Sequence, residues 1–245
     1  MRARTALDGV GYREKRDSEV AARAPGQLSL DDWSWFAGAS AYRTPIWYRC
    51  AEIAVSLTAL IVALPVLLVV AFLIKLESRG PAVFVQRRMT TGCRPFKFIK
   101  LRTMYTDCDQ RFPELAPKQL QHQDASQIRL QIPDDPRVTP LGRWLRRTSI
   151  DELPNFWNVL TGDMALVGPR PEITEMLPHY KGAMPEKFSV KSGITGYAQI
   201  LGRGELDFVT TVGYDLQYVQ ERSLRVDLKI MRDTIKSVFL CRGAY

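Results

Sequence analysis

Apolar residues are spread very unevenly along this chain. From Ile53 to Ile74 there is no charge at all, a run of 22 residues bounded by Glu52 and Lys75. At 1.5 Å per residue such a helix covers about 33 Å, enough to cross a hydrocarbon core. The run is apolar on every face, which favours lipid over a protein core as its surroundings. Pro65 interrupts it near the middle. An interior proline removes a backbone hydrogen bond and costs ~3 kcal/mol in a soluble helix, so a kink or break is expected there. Two topologies follow. A spanning helix would leave residues 1–52 outside the cell, and a re-entrant helix would turn at Pro65 and return both ends to the cytosolic face. Arg43 and Arg49 precede the run while Lys75, Arg79, Arg87 and Arg88 follow it, and basic flanks on both sides favour the re-entrant form.

Beyond the apolar run the period changes. Residues 82–104 alternate, with Val83-Phe-Val85, turn residues at Thr91-Gly92 and then Phe96 to Leu101, which predicts a β-hairpin. Residues 107–135 are polar and rich in Gln, Asp and Pro, predicting a loop with short helical pieces. Pro140–Arg147 mixes Leu141, Trp144 and Leu145 with Arg143, Arg146 and Arg147. Further on, Leu224, Leu228, Met231, Ile235 and Val238 recur at helical spacing, with Arg225, Lys229, Arg232 and Lys236 following one residue later. Both segments suit amphipathic helices on an anionic membrane surface, or core-packed helices with a solvated face. Residues 188–207, with Gly193, Gly196, Gly202 and Gly204, predict a loop-rich stretch, and helix dominates after Phe208.

The organisation expected is a variable N-terminal tail over residues 1–45, a re-entrant helix region over 46–78, a cytosolic domain over 79–240 and a short tail over 241–245. Trp33, Trp35, Phe36, Tyr42 and Trp47 are aromatic candidates for the membrane interface. The fold class is α+β, mostly helical: a re-entrant membrane helix with a small β-hairpin and surface amphipathic helices on the cytosolic face.

Composition narrows the chemistry. The chain has 245 residues and a formal net charge of +8. Residues 75–104 carry 8 Lys and Arg against 1 Glu, so nearly all the excess sits directly behind the apolar run. The four cysteines, Cys50, Cys93, Cys108 and Cys241, form no C-x-x-C pair or zinc spacing and read as reduced thiols facing the cytosol. With only His122 and His179, acid–base and nucleophilic work falls to carboxylates. No Walker-type or dinucleotide glycine loop and no internal repeat is present, and nothing calls for a nucleic-acid partner.

The carboxylates that stand out are Asp151 and Glu152, in Thr148-Ser-Ile-Asp-Glu-Leu-Pro154. Ser149 with Glu152 three residues later is a capping-box pattern, and Pro154 fits a first helical turn. The plain alternative to chemistry is therefore a helix cap worth roughly 1 kcal/mol. Arg143, Arg146 and Arg147 lie just upstream. Downstream, Pro169-Arg170-Pro171 holds an arginine in an extended display suited to phosphate, unless Arg170 is a structural ion pair with Glu172 or Asp163. Arg88, Lys100 and Arg102 are further phosphate candidates, each with a surface or headgroup contact as its alternative.

Together these segments resemble a family. Gly80-Pro-Ala-Val-Phe-Val-Gln-Arg-Arg88, Phe96 to Met104, Asp134 to Arg143, Arg147 to Pro154, Phe156 to Glu172 and Gly193-Ile-Thr-Gly196 are similar to the monotopic polyprenyl-phosphate phosphoglycosyl transferases, over about residues 46–240. Ser192, Tyr197 and Ala165 depart from the usual Pro, Trp and Ser. The resemblance implies transfer of a sugar 1-phosphate from a UDP-sugar, galactose or glucose favoured, to undecaprenyl phosphate with release of UMP. That step starts exopolysaccharide repeat-unit assembly at the cytosolic face of the bacterial inner membrane. It implies Asp151 as the nucleophile of a covalent phospho-sugar intermediate, Glu152 as a ligand of Mg²⁺, and a helix broken at Pro65. Arg170, Lys100, Arg102, Arg88 and Arg147 are then the expected phosphate binders, with Pro169, Pro171 and Asp163 in support. Anionic lipids and downstream glycosyltransferases are further expected partners. The competing functions are a membrane-bound scaffold and a lipid phosphatase of the same pathway.

Overall fold

The computed structural model describes residues 45–117, 120, 124–125, 128–129, 132–181, 184–202 and 206–239. The N-terminal tail with Trp33, Trp35, Phe36 and Tyr42, and also His122, Gly204 and Cys241, lies outside the described residues. Helix α1, Ile46–Glu77, carries the apolar run and continues as helix through Pro65, without the break expected there. It is the one described helix long and apolar enough to cross a membrane. Its outward side is a continuous apolar surface including Ile61, Val62, Leu68, Val69, Phe72 and Leu76, while Glu52, Ser56, Ala63, Val70 and Ile74 form a buried face.

The hairpin follows directly. Strands β1, Val83–Met89, and β2, Pro95–Leu101, pair antiparallel from Val83↔Leu101 to Met89↔Pro95, with a turn at Thr91–Cys93 where Gly92 takes φ 63°. The polar stretch beyond includes α2, Cys108–Arg111, and a 3₁₀ turn at Pro113–Leu115. Helix α3, Pro140–Thr148, is capped by the Thr139 hydroxyl accepting from the Gly142 amide, with Pro140 in the first turn. Gly142 is required by packing: a Cβ there would meet the Thr103 carbonyl oxygen at 2.1 Å. A 3₁₀ turn, Ile150–Glu152, leads into α4, Asn155–Thr161.

Three short strands were not legible as strands in the sequence. β3, Ala165–Val167, pairs parallel with β5, Gly193–Thr195, and β4, Glu172–Ile173, adds antiparallel to β1, giving the order β2-β1-β4 in the larger sheet. Part of the expected glycine-rich loop is thus strand, and part is helix: α5, Tyr197–Leu201. Helices α6, Phe208–Glu221, and α7, Leu224–Phe239, close the fold, Asp207 capping α6 through the Thr210 amide. On α7, Ile230 is buried and Met231 packs against the core, while Leu224, Leu228 and Ile235 are exposed, so the apolar stripe read from the sequence is divided between core and surface.

Both ends of α1 are fastened to this body. Near the start, the Arg49 guanidinium donates to the carbonyls of Val159 and Leu160 at the end of α4, the Leu166 amide donates to Glu52 Oε1 (3.0 Å), and the Tyr48 hydroxyl donates to Asp227 (2.6 Å). At the other end the Arg102 guanidinium donates to Ile74 O (3.2 Å), Ser78 O (2.7 Å), Ser78 Oγ (3.0 Å) and Arg79 O (2.8 Å). These satisfy carbonyls that a helix end leaves without partners. Val70 and Ile74 pack with Ala82, Leu101 and Leu145 behind that clamp.

Candidate active site

The dyad sits in a turn between two helices. Ser149 adopts the left-handed conformation (φ 57°) that terminates α3, its amide donating to Arg146 O (3.2 Å), and the chain then makes the 3₁₀ turn holding Asp151 and Glu152. This corrects the capping-box reading. Ser149 makes no side-chain cap bond, and the Glu152 carboxylate turns the other way, accepting from Arg170 Nη2 (3.1 Å) and from Asn155 Nδ2 (3.2 Å). The carboxylates precede α4 and do not begin it, and α4 is too short to supply much dipole.

The two neighbouring carboxyls are shifted in opposite directions. Asp151 is 5% exposed and is pushed up to about 6 by burial and by the charge on Glu152, although Lys100, Arg146 and Arg170 oppose this. For Glu152 burial acts upward too, but Arg170, Lys100 and Arg88 override it, and the group lies below the ordinary carboxylate range. The cations respond in kind. Lys100 is lowered to about 8 by burial, Arg146 and Arg88 adding to this while Asp151 opposes. Arg88 is lowered to about 10 by burial and by Arg170, and Arg170 is raised by its contact with Glu152.

Sheet and strand positions deliver these cations. Lys100 lies opposite Phe84 in the hairpin register, its Nζ 5.4 Å from the ring centroid. Arg88, on the same face, stacks its guanidinium 4.4 Å over Phe98 and donates to Pro171 O (2.9 Å). Pro169 O accepts from the Gly193 amide (2.9 Å), so Arg170 is displayed from a backbone fixed on both sides. That contact needs glycine, since a Cβ on Gly193 would meet the Gly168 nitrogen at 2.0 Å. Gly193-Ile-Thr-Gly196 therefore acts through the Pro-Arg-Pro backbone.

Not every expected residue joins the cluster. Arg102 is the clamp on α1 described above. Arg147 is exposed and lines a cleft with Asp134, Asp135, Arg143 and Arg146, of which Arg146 also acts on Asp151. Asp163 pairs with Arg94 (2.9 Å) and accepts from Thr161, away from the dyad. The ion pair weighed for Arg170 is with Glu152, in place of Glu172 or Asp163. Glu172 instead belongs to a second buried cluster, where Lys187 Nζ lies 3.1 Å from both Glu172 Oε2 and Asp215 Oδ2 and the Tyr180 hydroxyl donates to Glu172 (2.7 Å).

Sequence reasoning missed Asn155 and undervalued Arg146. Asn155 stands three residues after Glu152, the spacing at which helical neighbours meet, and that was its available signal. Arg146 read as a membrane-surface residue, but its Nε donates to Thr103 Oγ1 (3.1 Å) and its charge acts on Asp151.

Among the described residues no group of three or more His, Cys, Asp and Glu could cage a metal. Mg²⁺ does not require such a cage, because it keeps several waters and uses one or two carboxylates plus substrate phosphates. The donors fit that pattern. Asn155 Oδ1 is buried without a hydrogen-bond partner beside Glu152, a hard oxygen of the kind such a cation takes.

A model of the bacterial sugar transferase family matches residues 43–241. The chain belongs to that family. It is 42% identical over 169 residues to the galactosyl transferase CpsE of Streptococcus agalactiae, covering 69% of this chain and 37% of that protein. It is 41% identical over 210 residues to the undecaprenyl-phosphate glucose phosphotransferase of Komagataeibacter xylinus, covering 80% and 36%. With the exopolysaccharide production protein ExoY of Sinorhizobium fredii it shares 36% identity over 197 residues, 80% of this chain and 87% of that one. The chain thus spans little more than a third of the first two relatives and most of the third. For a sugar transferase, a buried carboxylate with cations on several sides is the geometry to be interpreted.

Proposed function

We propose that this sugar transferase moves a hexose 1-phosphate from a UDP-sugar, glucose or galactose favoured, to undecaprenyl phosphate. The names of its relatives point to both substrates. The observation that carries the reading is a buried carboxyl, Asp151, beside a second, Glu152, that is tied to Arg170, both within a ring of Lys100, Arg88, Arg146 and Arg170. An Asp151 oxygen attacks the phosphorus that bears the sugar, the bond from that phosphorus to the UMP oxygen breaks, and UMP departs with the electron pair. An oxygen of the acceptor phosphate then attacks the same phosphorus and releases the Asp151 carboxylate. Carboxylate attack on an anionic pyrophosphate needs its charge screened, and Arg170 and Arg88 do this from a partly desolvated position. Glu152, fixed by Arg170 and Asn155, stays ionised. With the Asn155 amide oxygen it would hold Mg²⁺, which when bound supplies charge neutralisation on the phosphates.

The apolar helix enters the cytoplasmic membrane and returns to its cytosolic face. Support comes from the clamps at both ends of α1, which attach Arg49 and Ser78 to one body. The outward apolar stripe of α7 and exposed Trp144 on α3 suit the same surface. Start of exopolysaccharide repeat synthesis is the corresponding role.

The test is UMP release by the purified chain in lipid nanodiscs, over a panel of UDP-sugars, with and without undecaprenyl phosphate. Lipid-dependent turnover is expected, together with a wild-type mass increase of one hexose phosphate after donor alone. Hydrolysis to free sugar phosphate without transfer would replace the proposal with the lipid-phosphatase reading.

A further inference from the structure

The membrane-proximal end of the hairpin carries an aromatic residue that the reaction above does not use. Phe84 is 40% exposed and lies between Val83 and Val85, also exposed. Three consecutive large apolar residues at a strand end are costly to leave in water. Their position says what meets them. Ala82 packs against Val70 and Ile74 of α1, and Arg102, next after β2, holds the end of that helix. The strand therefore starts beside the last turns of the apolar helix, where Phe72, Leu73 and Leu76 are exposed in turn.

Charge continues the surface inward. Directly across the hairpin, Lys100 holds its ammonium 5.4 Å from the Phe84 ring centroid. Lys100 forms no close ion pair among the described residues, and Asp151 is the first of the carboxylates acting on it. Further along the same face come Phe98 and Arg88, the latter joined through Pro171 to the segment carrying Arg170. The face thus runs from apolar at the helix to an unpaired cation beside the nucleophile, and then to a paired arginine cluster.

We propose that Phe84 and Lys100 form the acceptor subsite: the Lys100 ammonium takes the head of a phosphate monoester whose apolar chain leaves the bilayer across the Phe84 ring. The inference rests on the transfer to a lipid phosphate proposed above and assigns its place. Donor phosphates then occupy the Arg88 and Arg170 end, and the two substrates reach Asp151 from opposite ends of one strip. An acceptor monoester ionised above its second pKa attacks without needing a base. Its oxygen forms the new bond to phosphorus as the bond to Asp151 breaks, and no proton has to be moved.

The experiment compares acceptors of different length, a long polyprenyl phosphate and a short two-isoprene phosphate, with the full chain in nanodiscs. Phe84→Ser should raise KM for the long acceptor on the order of ten-fold, the effect of removing about half a buried aromatic ring. It should reduce the preference for long over short acceptor and move the donor KM less than about two-fold. Phe84→Leu should recover most of the loss, and Lys100→Gln should raise KM for both acceptors alike. Unfolding temperature and vesicle binding are measured on each variant. An equal loss for both acceptors in Phe84→Ser, tracking reduced vesicle binding, would make Phe84 a membrane anchor and overturn the subsite. Unchanged acceptor kinetics would overturn it as well. Failure of the parent reading looks different, since the wild type itself would then make no lipid-linked product.

Discussion

Two charged clusters lie on either side of the segment from Arg170 to Glu172, and they differ in how far they are closed. Behind it, Lys187 contacts Glu172 and Asp215 at 3.1 Å, Tyr180 bonds to Glu172, and all four side chains are buried. Burial opposes the charge on Lys187, but the two carboxylates override it and hold the amine above its ordinary value. In front, Arg88, Lys100, Arg146 and Arg170 surround Asp151 and Glu152, yet of these two carboxylates only Glu152 has a close ion pair among the described residues. Asp151 and Asp215 are both raised by burial, but Lys100 is lowered where Lys187 is raised, the sign of a cation not fully compensated by its neighbours. A closed cluster maintains a shape, whereas an open one with excess cations has affinity left for an anionic ligand.

The largest break in that comparison is Asp151→Asn. UMP release should fall at least about 10⁴-fold, as expected for loss of a covalent nucleophile. The same change should raise the unfolding temperature at pH 8. The folded pKa of Asp151 lies above its unfolded value, so the cost of ionising it in the fold builds between about pH 4 and about pH 6 and is fully present above that. The gain should fade as pH falls from about 6 and be gone below about 4, where the carboxyl is protonated in both states. Thermal scans across pH check this.

Arg170→Ala should cost about 10²–10³ in kcat/KM, with Lys a poor substitute because Glu152 and a phosphate are held by a planar fork. In the rear cluster the balance reverses. Lys187→Met leaves two buried carboxylates uncompensated and should lower stability by about 3–5 kcal/mol by denaturant unfolding. Activity per folded molecule should fall much less than for Arg170→Ala. A loss as deep as that of Arg170→Ala, in protein shown to be folded, would erase the distinction between the clusters.

The finest test is pH dependence. The acid limb of kcat/KM should lie near the Asp151 value of about 6. Lys100 favours the ionised form of Asp151, so Lys100→Gln should move that limb upward, by roughly half to one unit. No movement would mean that the limb reports another group.

Much of the front cluster was legible in the sequence because it is local. Asp151 and Glu152 are adjacent, Arg170 stands between two prolines, and hairpin alternation brings Lys100 and Arg88 to one face. The apolar helix was legible by length alone. The rear cluster was not, because Glu172, Tyr180, Lys187 and Asp215 share no period and meet only through tertiary packing. The strands at Ala165–Val167 and Gly193–Thr195 were missed for the same reason: each is too short to show a period, and each exists because the other pairs with it. Arg102 shows the converse error. Its place in a basic motif suggested phosphate, but a guanidinium is equally suited to the carbonyls at a helix end.

That clamp has a further consequence. On the re-entrant reading, α1 is fastened to the catalytic body at both ends, so it has little freedom to tilt when the host bilayer is thinner or thicker than its apolar length. The mismatch must then be met by the lipid, or passed through Arg102 into the hairpin that carries Lys100 and Arg88. Acyl-chain length thereby becomes a variable of the reaction itself, acting on the alignment of the strip along which both substrates approach.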